Sequence, residues 1–190
     1  MTLDVFWHED VLGHDAGQGV FEAAASPLMA VDEAHPEGPD RVRNMLAILR
    51  RGPLAEHVRW RDGRHATRAE LELVHAPAYV DEIERLVAAG GGRVTSTTVA
   101  GPATFAAAAA ATGTAVGAVD AVLNGETRIA YALVRPPGHH AQPARADGYC
   151  FFNGVAIAAE VARRRGVERV AVVDWDVHHG NGTQECFYAR

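Results

Sequence analysis

Arg169-Val170-Ala171-Val172-Val173-Asp174-Trp175-Asp176-Val177-His178-His179-Gly180-Asn181-Gly182-Thr183 is a short apolar run that empties into a polar cluster. Upstream, Arg128 to Val134 does the same, ending in Arg135-Pro136-Pro137-Gly138-His139-His140. Arg128–Val134 and Arg169–Trp175 are both short, apolar and partly β-branched, the composition of strands buried in a parallel sheet. Between them Val155 to Arg165 has a helical pattern and stops at Gly166. Strand, helix and strand in that order predict a β-α-β unit.

The same alternation extends towards the N-terminus. Leu3 to Trp7 reads as a strand, followed by a loop-like stretch reaching His35-Pro36-Glu37-Gly38-Pro39. From Asp40, a candidate N-cap, Val42, Met45, Leu46 and Leu49 fall at helical spacing until Gly52-Pro53. His57–Trp60 and Glu70–Val74 are expected as short strands. Pro77–Ala89 is expected as a helix ended by Gly90-Gly91-Gly92, and Thr104–Leu123 as a long helix of small residues that neighbours can approach closely. The expected fold is α/β, a mainly parallel β-sheet flanked by helices, with residues 1–190 forming a single domain.

The composition narrows the function. A net charge of −6 argues against a nucleic-acid partner bound through a general basic surface. All 18 basic residues are arginine, which, with abundant Ala, Val and Gly, suggests a genome rich in G and C. The two cysteines, Cys150 and Cys186, form no C-x-x-C pair and point to a reducing compartment. The first residues lack the basic and apolar regions of a signal peptide, and the alanine-rich stretch from Phe105 to Leu123 is too weakly hydrophobic to span a membrane. The expectation is a cytoplasmic protein without a membrane partner.

Open α/β sheets carry their sites at the carboxyl ends of the strands, where both polar clusters lie. In extended chain, residues two apart point the same way, so Asp174, Asp176 and His178 project together. An Asp and a His there can supply an oxygen and a nitrogen ligand to zinc, leaving at least one ligand to come from elsewhere. His139 and His140 then suit acid and base groups flanking a metal-bound water, with Asp174 orienting one of them. Taken singly, each feature has a plainer reading: a lone histidine is usually structural or exposed, an Asp at a strand end caps the next helix, and Asn181-Gly182 is a turn. Four of the ten histidines in two doublets, one beside an Asp-x-Asp, favour a site. His8, His57 and His65 read as structural or merely exposed.

With these motifs in view, Leu133 to Gly182 resembles the zinc-dependent histone deacetylase superfamily, which includes bacterial acetylpolyamine amidohydrolases. The R-P-P-G-H-H run, the G-Y-C-F-F-N run at Gly148–Asn153 and D-W-D-V-H-H-G-N-G-T carry the resemblance in order and spacing. Phe6-Trp7-His8, Gly13-His14-Asp15, His35-Pro36-Glu37 with Arg41, and His75 with Tyr79-Val80 agree more weakly. Asn181, where class I members have Asp, and the N-terminal stretch point to class II-like and bacterial members.

The resemblance implies Asp176 and His178 as zinc ligands, His139 and His140 as the pair that activates water and protonates the leaving amine, and Asn181 set against His140. It implies Asp174 hydrogen-bonded to His139, and Gly148 and Tyr149 lining a narrow tunnel for the acylated amine. Tyr149 stands where many relatives have Phe, and Gly154 where class II relatives often have Asn. A potassium ion is implied around Asp174, Asp176 and His178. The implied reaction is metal-assisted hydrolysis of an amide, on acyl-lysine in a protein or on a small acylated amine such as an acylpolyamine. Homo-oligomerisation and acyl-chain length are left open.

The family's third zinc ligand, a second Asp, and its oxyanion-stabilising tyrosine lie well beyond the D-x-D-x-H-H motif, and after Thr183 only Gln184 to Arg190 follow. The expectation is therefore the N-terminal part of a longer catalytic domain, inactive by itself. Two alternatives compete: a non-catalytic deacetylase-fold binding module or partner subunit, and an arginase-like binuclear manganese hydrolase with Asp174 and Asp176 bridging two metals.

Overall fold

Leu3–Trp7 forms β1, and its three central residues, Asp4, Val5 and Phe6, are all buried. A strand covered on both faces belongs in the middle of a sheet. In the computed structural model, which describes residues 2–17, 27, 28, 30 and 34–188, β1 pairs in parallel with β2 (Val58–Asp62) on one side and β5 (Ala130–Ala132) on the other. The strand order is β2-β1-β5, with Leu3 opposite Val58 and Asp4 opposite Ala130. The buried Asp4 carboxylate is satisfied across the ladder, accepting from Arg59 at 2.8 and 2.7 Å and from Arg61 at 3.1 Å. The arginine heads stay near solvent while their stems cover the sheet edge. A second sheet, unforeseen in the sequence, is the short hairpin of β3 (Gly92–Arg93) and β4 (Val99–Ala100).

Helices α1 (Asp40–Arg51), α3 (Pro77–Ala88), α4 (Thr104–Leu123) and α5 (Gly154–Arg164) lie where the sequence predicts helices. Asp40 is not the N-cap of α1. Pro39 takes that place without a side-chain bond, and Asp40, the first helical residue, pairs with Arg43 at 2.7 Å. The expectation of a strand at Glu70–Val74 also fails, because Arg68–Leu71 is a helical turn, α2. The reason is local: Thr67 Oγ1 accepts the Glu70 N–H and the Glu70 carboxylate accepts the Thr67 N–H, a capping box that outweighs a short apolar alternation.

The alanines of α4 make it the pillar of the domain. The helix packs on α5, β1 and β5, and most of its residues are buried. A Cβ at Gly113 would sit 2.3 Å from the backbone of Arg64, His65 and Ala66, so only glycine lets that loop lie against the helix. Ala66 there donates to the Ala109 carbonyl at 2.8 Å.

Arg169–Trp175 corrects the sequence reading most. It is neither a strand nor buried: the run joins no ladder and leaves Val173 78% and Trp175 91% exposed. The second strand of the expected β-α-β unit is thus unpaired, although its helix, α5, is present. Between the segment and the free edge of β5 lies an open apolar groove lined by Ala118, Val119, Ala130, Ala132, Val172 and Val173. A strand is defined by its ladder, and the backbone of this run pairs with no strand among the described residues. The loop ahead of His35 falls largely on residues 18–26, 29 and 31–33, outside the described residues.

Candidate active site

Beyond β5 the chain keeps one more sheet contact, Leu133 N–H to the Phe6 carbonyl at 2.9 Å, and then turns through Gly138–Ala141. This turn holds His139 and His140 with ring centroids 4.0 Å apart. On the other wall, the Asp174 carboxylate accepts the Asp176 N–H at 3.1 Å, and Asp176 accepts the His178 N–H at 2.8 Å. Successive Asx-type turns, not a pleated strand, therefore bring these side chains together. α6 (Asn181–Phe187) follows at once and is tied back to the doublet by Thr183 N–H donating to the His139 carbonyl at 3.1 Å.

The two walls meet in specific pairs. His139 Nδ1 lies 2.8 Å from Asp174 Oδ2, and His140 Nδ1 lies 2.5 Å from Asn181 Oδ1. Partial burial raises the Asp174 pKa, but the His139 hydrogen bond and the Asp176 N–H outweigh it and hold the carboxyl below its ordinary range. The His178 N–H does the same for Asp176, against a smaller effect of burial. An ionised Asp174 only accepts, so Nδ1 of His139 carries a proton, and in the neutral ring Nε2 keeps its lone pair. Asn181 orients His140 through a neutral oxygen. The two histidines are thereby held alike but polarised differently.

Asp176 Oδ1 and His178 Nδ1 lie 3.1 Å apart, close to the ~3.4 Å edge between two donors of a tetrahedral zinc site with bonds of about 2.0–2.1 Å. The donor chemistry and spacing fit two of the ligands of one zinc ion. The His140 and His178 rings are 5.9 Å apart, so this donor pair lies beside the doublet.

His139, His140, Asp174, Asp176, His178 and Asn181 are thus gathered into one site. Gly148 is drawn in by packing: its φ is +48°, and a Cβ there would lie 2.2 Å from His140 Cδ2. The chain can close on that imidazole only as glycine. Tyr149, also at positive φ, donates its N–H to Thr98 Oγ1 at 3.1 Å and sets its ring edge-to-face with His35 at 4.8 Å.

The scaffold behind the site is less legible in the sequence. Asn153 caps α5 by accepting the Ala156 N–H at 3.1 Å, and its amide donates to the Ala141 carbonyl at 3.1 Å and to Thr183 Oγ1 at 3.2 Å. One side chain so joins the doublet loop, α5 and α6. An Asn directly before a small-residue helix is an N-cap signal that could have identified it. His75, 2% exposed, positions Asn153 in turn: its Nε2 accepts the Asn153 N–H at 2.9 Å while Nδ1 donates to the Gln142 carbonyl at 3.0 Å.

Both nitrogens of His75 are committed to the neutral ring, and burial lowers its pKa to about 4. Between pH 4 and 6.5 the unfolded chain binds a proton there that the folded chain refuses, so stability is full above pH 6.5 and is lost as pH falls. Burial lowers His14 to about 3 and raises Glu37 to about 7. Those two act in opposite senses over the same window and largely offset each other. Acidification from pH 7 to 4.5 should therefore cost on the order of 3 kcal/mol through His75. Melting temperatures across that range should show His75→Gln, less stable at pH 7, losing much less on acidification. Parallel pH profiles for the two proteins would remove His75 from the account.

A family model described as the histone deacetylase domain matches residues 35–190. Histone deacetylase 8 of Arabidopsis thaliana is 49% identical over 189 residues, covering 98% of this chain and 50% of that protein. A histone deacetylase-like amidohydrolase of Pseudomonas aeruginosa is 40% identical over 188 residues, with 97% and 50% covered. Polyamine deacetylase HDAC10 of Homo sapiens is 42% identical over 164 residues, 82% of this chain and 24% of its own. The crystal structure of the HDA15 HD domain superposes with a TM-score of 0.85 at 36% identity, over 98% of this chain and 50% of that one. The chain spans about half the length, or less, of these relatives.

Proposed function

We propose an activity from the premise that these matches establish: this chain belongs to the histone deacetylase family. It forms the N-terminal part of a zinc-dependent hydrolase that removes acetyl or other acyl groups from amines. The observation that carries this reading is the paired arrangement of His139 on Asp174 and of His178 beside Asp176, 2.8 and 3.1 Å apart. A non-catalytic module would have no use for an intact set of this kind, and the names of the relatives support hydrolysis.

Asp176 and His178 would hold the zinc, with a third ligand from outside these 190 residues. When bound, the ion supplies Lewis-acid polarisation of the acyl carbonyl and a water acidic enough to lose a proton near neutral pH. His139 Nε2 takes that proton as the water oxygen bonds to the acyl carbon, and Asp174 stabilises the imidazolium that results. The carbon–nitrogen bond breaks as the doublet delivers a proton to the departing amine. His140, held by Asn181, lies beside His139 for that transfer. Gly148 and Tyr149 flank the approach of the acylated chain, and a potassium ion near Asp174, Asp176 and His178 would steady the turns. The substrate is an acyl-lysine side chain or a small acylated amine.

The test compares two lengths of protein. The 190-residue chain, zinc-loaded, should show no measurable deacetylation of acetyl-lysine peptides or acetylpolyamines, whereas a form extended to the length of its relatives should turn over one of them. Turnover by the short chain would refute the need for further ligands. An inert extended form with zinc bound would refute the hydrolase itself.

A further inference from the structure

We infer that His8, Asp10 and His65 form a second divalent-metal site, separate from the proposed hydrolase chemistry and independent of it. Read from the sequence, His8 and His65 are structural or merely exposed. The fold brings them together because β1 and β2 run parallel with Trp7 opposite Asp62, so the residues that follow each strand emerge side by side. Gly63 N–H donates to the Trp7 carbonyl at 2.8 Å, extending the pairing by one bond, and Ala66 is pinned to α4 on the far side of His65. Asp10 lies in the 3₁₀ turn Glu9–Leu12 that starts directly after His8. Backbone bonds thus fix the positions of all three residues.

One ligand atom from each residue lies within 4.8 Å of the other two. His65 Nε2 is 2.7 Å from Asp10 Oδ2, and His8 Nδ1 is 3.8 Å from the same oxygen. The two imidazoles meet edge-to-face with centroids 4.6 Å apart. His8 Nδ1 accepts the Asp10 N–H at 3.2 Å, so that nitrogen bears a lone pair and no proton, the form in which imidazole binds a metal. A metal ion at Nδ1 would replace that long, partly buried hydrogen bond.

Two imidazole nitrogens and one carboxylate oxygen suit a borderline ion such as Zn²⁺, Co²⁺ or Ni²⁺ and serve Ca²⁺ or Mg²⁺ poorly. The side chains of His8, Asp10 and His65 are 24%, 40% and 44% exposed, so water can complete the coordination. A moderate affinity is expected, because closing the donors onto one ion needs sub-ångström to ångström side-chain shifts but no change of backbone.

The test uses the full chain with Asp176→Ala and His178→Ala, which removes the other donor pair. After chelator treatment, Co²⁺ or Ni²⁺ titrated by absorption should bind one equivalent and raise the melting temperature. Adding His65→Gln, or separately His8→Gln, should weaken binding about tenfold or more and abolish the thermal shift. His57→Gln, an exposed histidine outside the cluster, should change neither. Because His65 is half-exposed, its metal-free melting temperature should hold, which separates lost ligation from lost folding. No binding by the starting protein, or an affinity that neither His65→Gln nor His8→Gln lowers, would overturn the site and leave His65–Asp10 as a surface ion pair.

Discussion

In the extended, zinc-loaded protein, Asp174→Asn should lower kcat for amide hydrolysis by about 10²–10⁴-fold, the range associated with a positioned general base. KM should change little, because Asp174 faces His139 and not the acyl chain. The change is isosteric, so what is lost is charge. Asp174 Oδ2 accepts from His139 Nδ1 at 2.8 Å and fixes the proton on that nitrogen. An asparagine can present its NH₂ group there, which would force the proton onto Nε2 and remove the lone pair that must take the proton from water. Asn181→Ala, which removes a neutral partner of His140, should cost less. Steady-state kinetics decide the matter if zinc content is measured on the same samples, because Asp174 Oδ1 also supports the turn leading to Asp176. Full zinc occupancy with unchanged kcat would show that His139 needs no carboxylate.

Much of this could be read from the chain alone, and the failures have physical causes. The helices were legible because α1, α3 and α5 repeat apolar residues at helical spacing and α4 is rich in small residues. β1 was legible as an apolar run bounded by polar residues. Arg169–Trp175 has the composition of a buried strand, but composition reports only what a segment would favour if a partner were beside it. The free edge of β5 and this segment face each other across a groove, and the ladder is absent. The Glu70–Val74 error has the opposite source, a local capping box that a search for alternation overlooks.

The histidines show the same divide. The two doublets were visible because each stands in a dense polar cluster that follows an apolar run. His8 and His65 are far apart in sequence and meet only through the β1–β2 register, which no local pattern reveals. The positioning roles of His75 and Asn153 were harder to read: apart from the local N-cap of Asn153, their bonds run to loops distant in sequence.

Arg135→Met should be the most destabilising single change in the chain, by about 3–5 kcal/mol at pH 8, the cost of leaving a buried charge without its partner. Arg135 is 1% exposed and Glu37 3%. The guanidinium donates to the carbonyls of Glu37 at 2.9 Å, His14 at 2.7 Å and Val11 at 3.3 Å, and its Nε lies 3.0 Å from Glu37 Oε1. Methionine fills similar volume but strands three carbonyl groups and a carboxylate. The remaining cation near Glu37, Arg41, is 3.9 Å away and half in solvent, a weak substitute.

The loss should also depend on pH in a defined sense. Burial already raises Glu37 to about 7 with Arg135 opposing the shift. Without the arginine the folded pKa rises further, so the folded state binds a proton that the unfolded state, near 4.5, releases. Stability conferred by that proton grows as pH falls, and the deficit of Arg135→Met should shrink between pH 8 and 5. Glu37→Gln combined with Arg135→Met should recover part of the loss at pH 8 and flatten its pH dependence, because no charge is then left to bury. Denaturant unfolding of the four proteins at both pH values measures the coupling directly. A deficit below 1 kcal/mol, or one that does not vary with pH, would mean that the Arg135–Glu37 pair is not what holds the loop after β1 against the chain leaving β5.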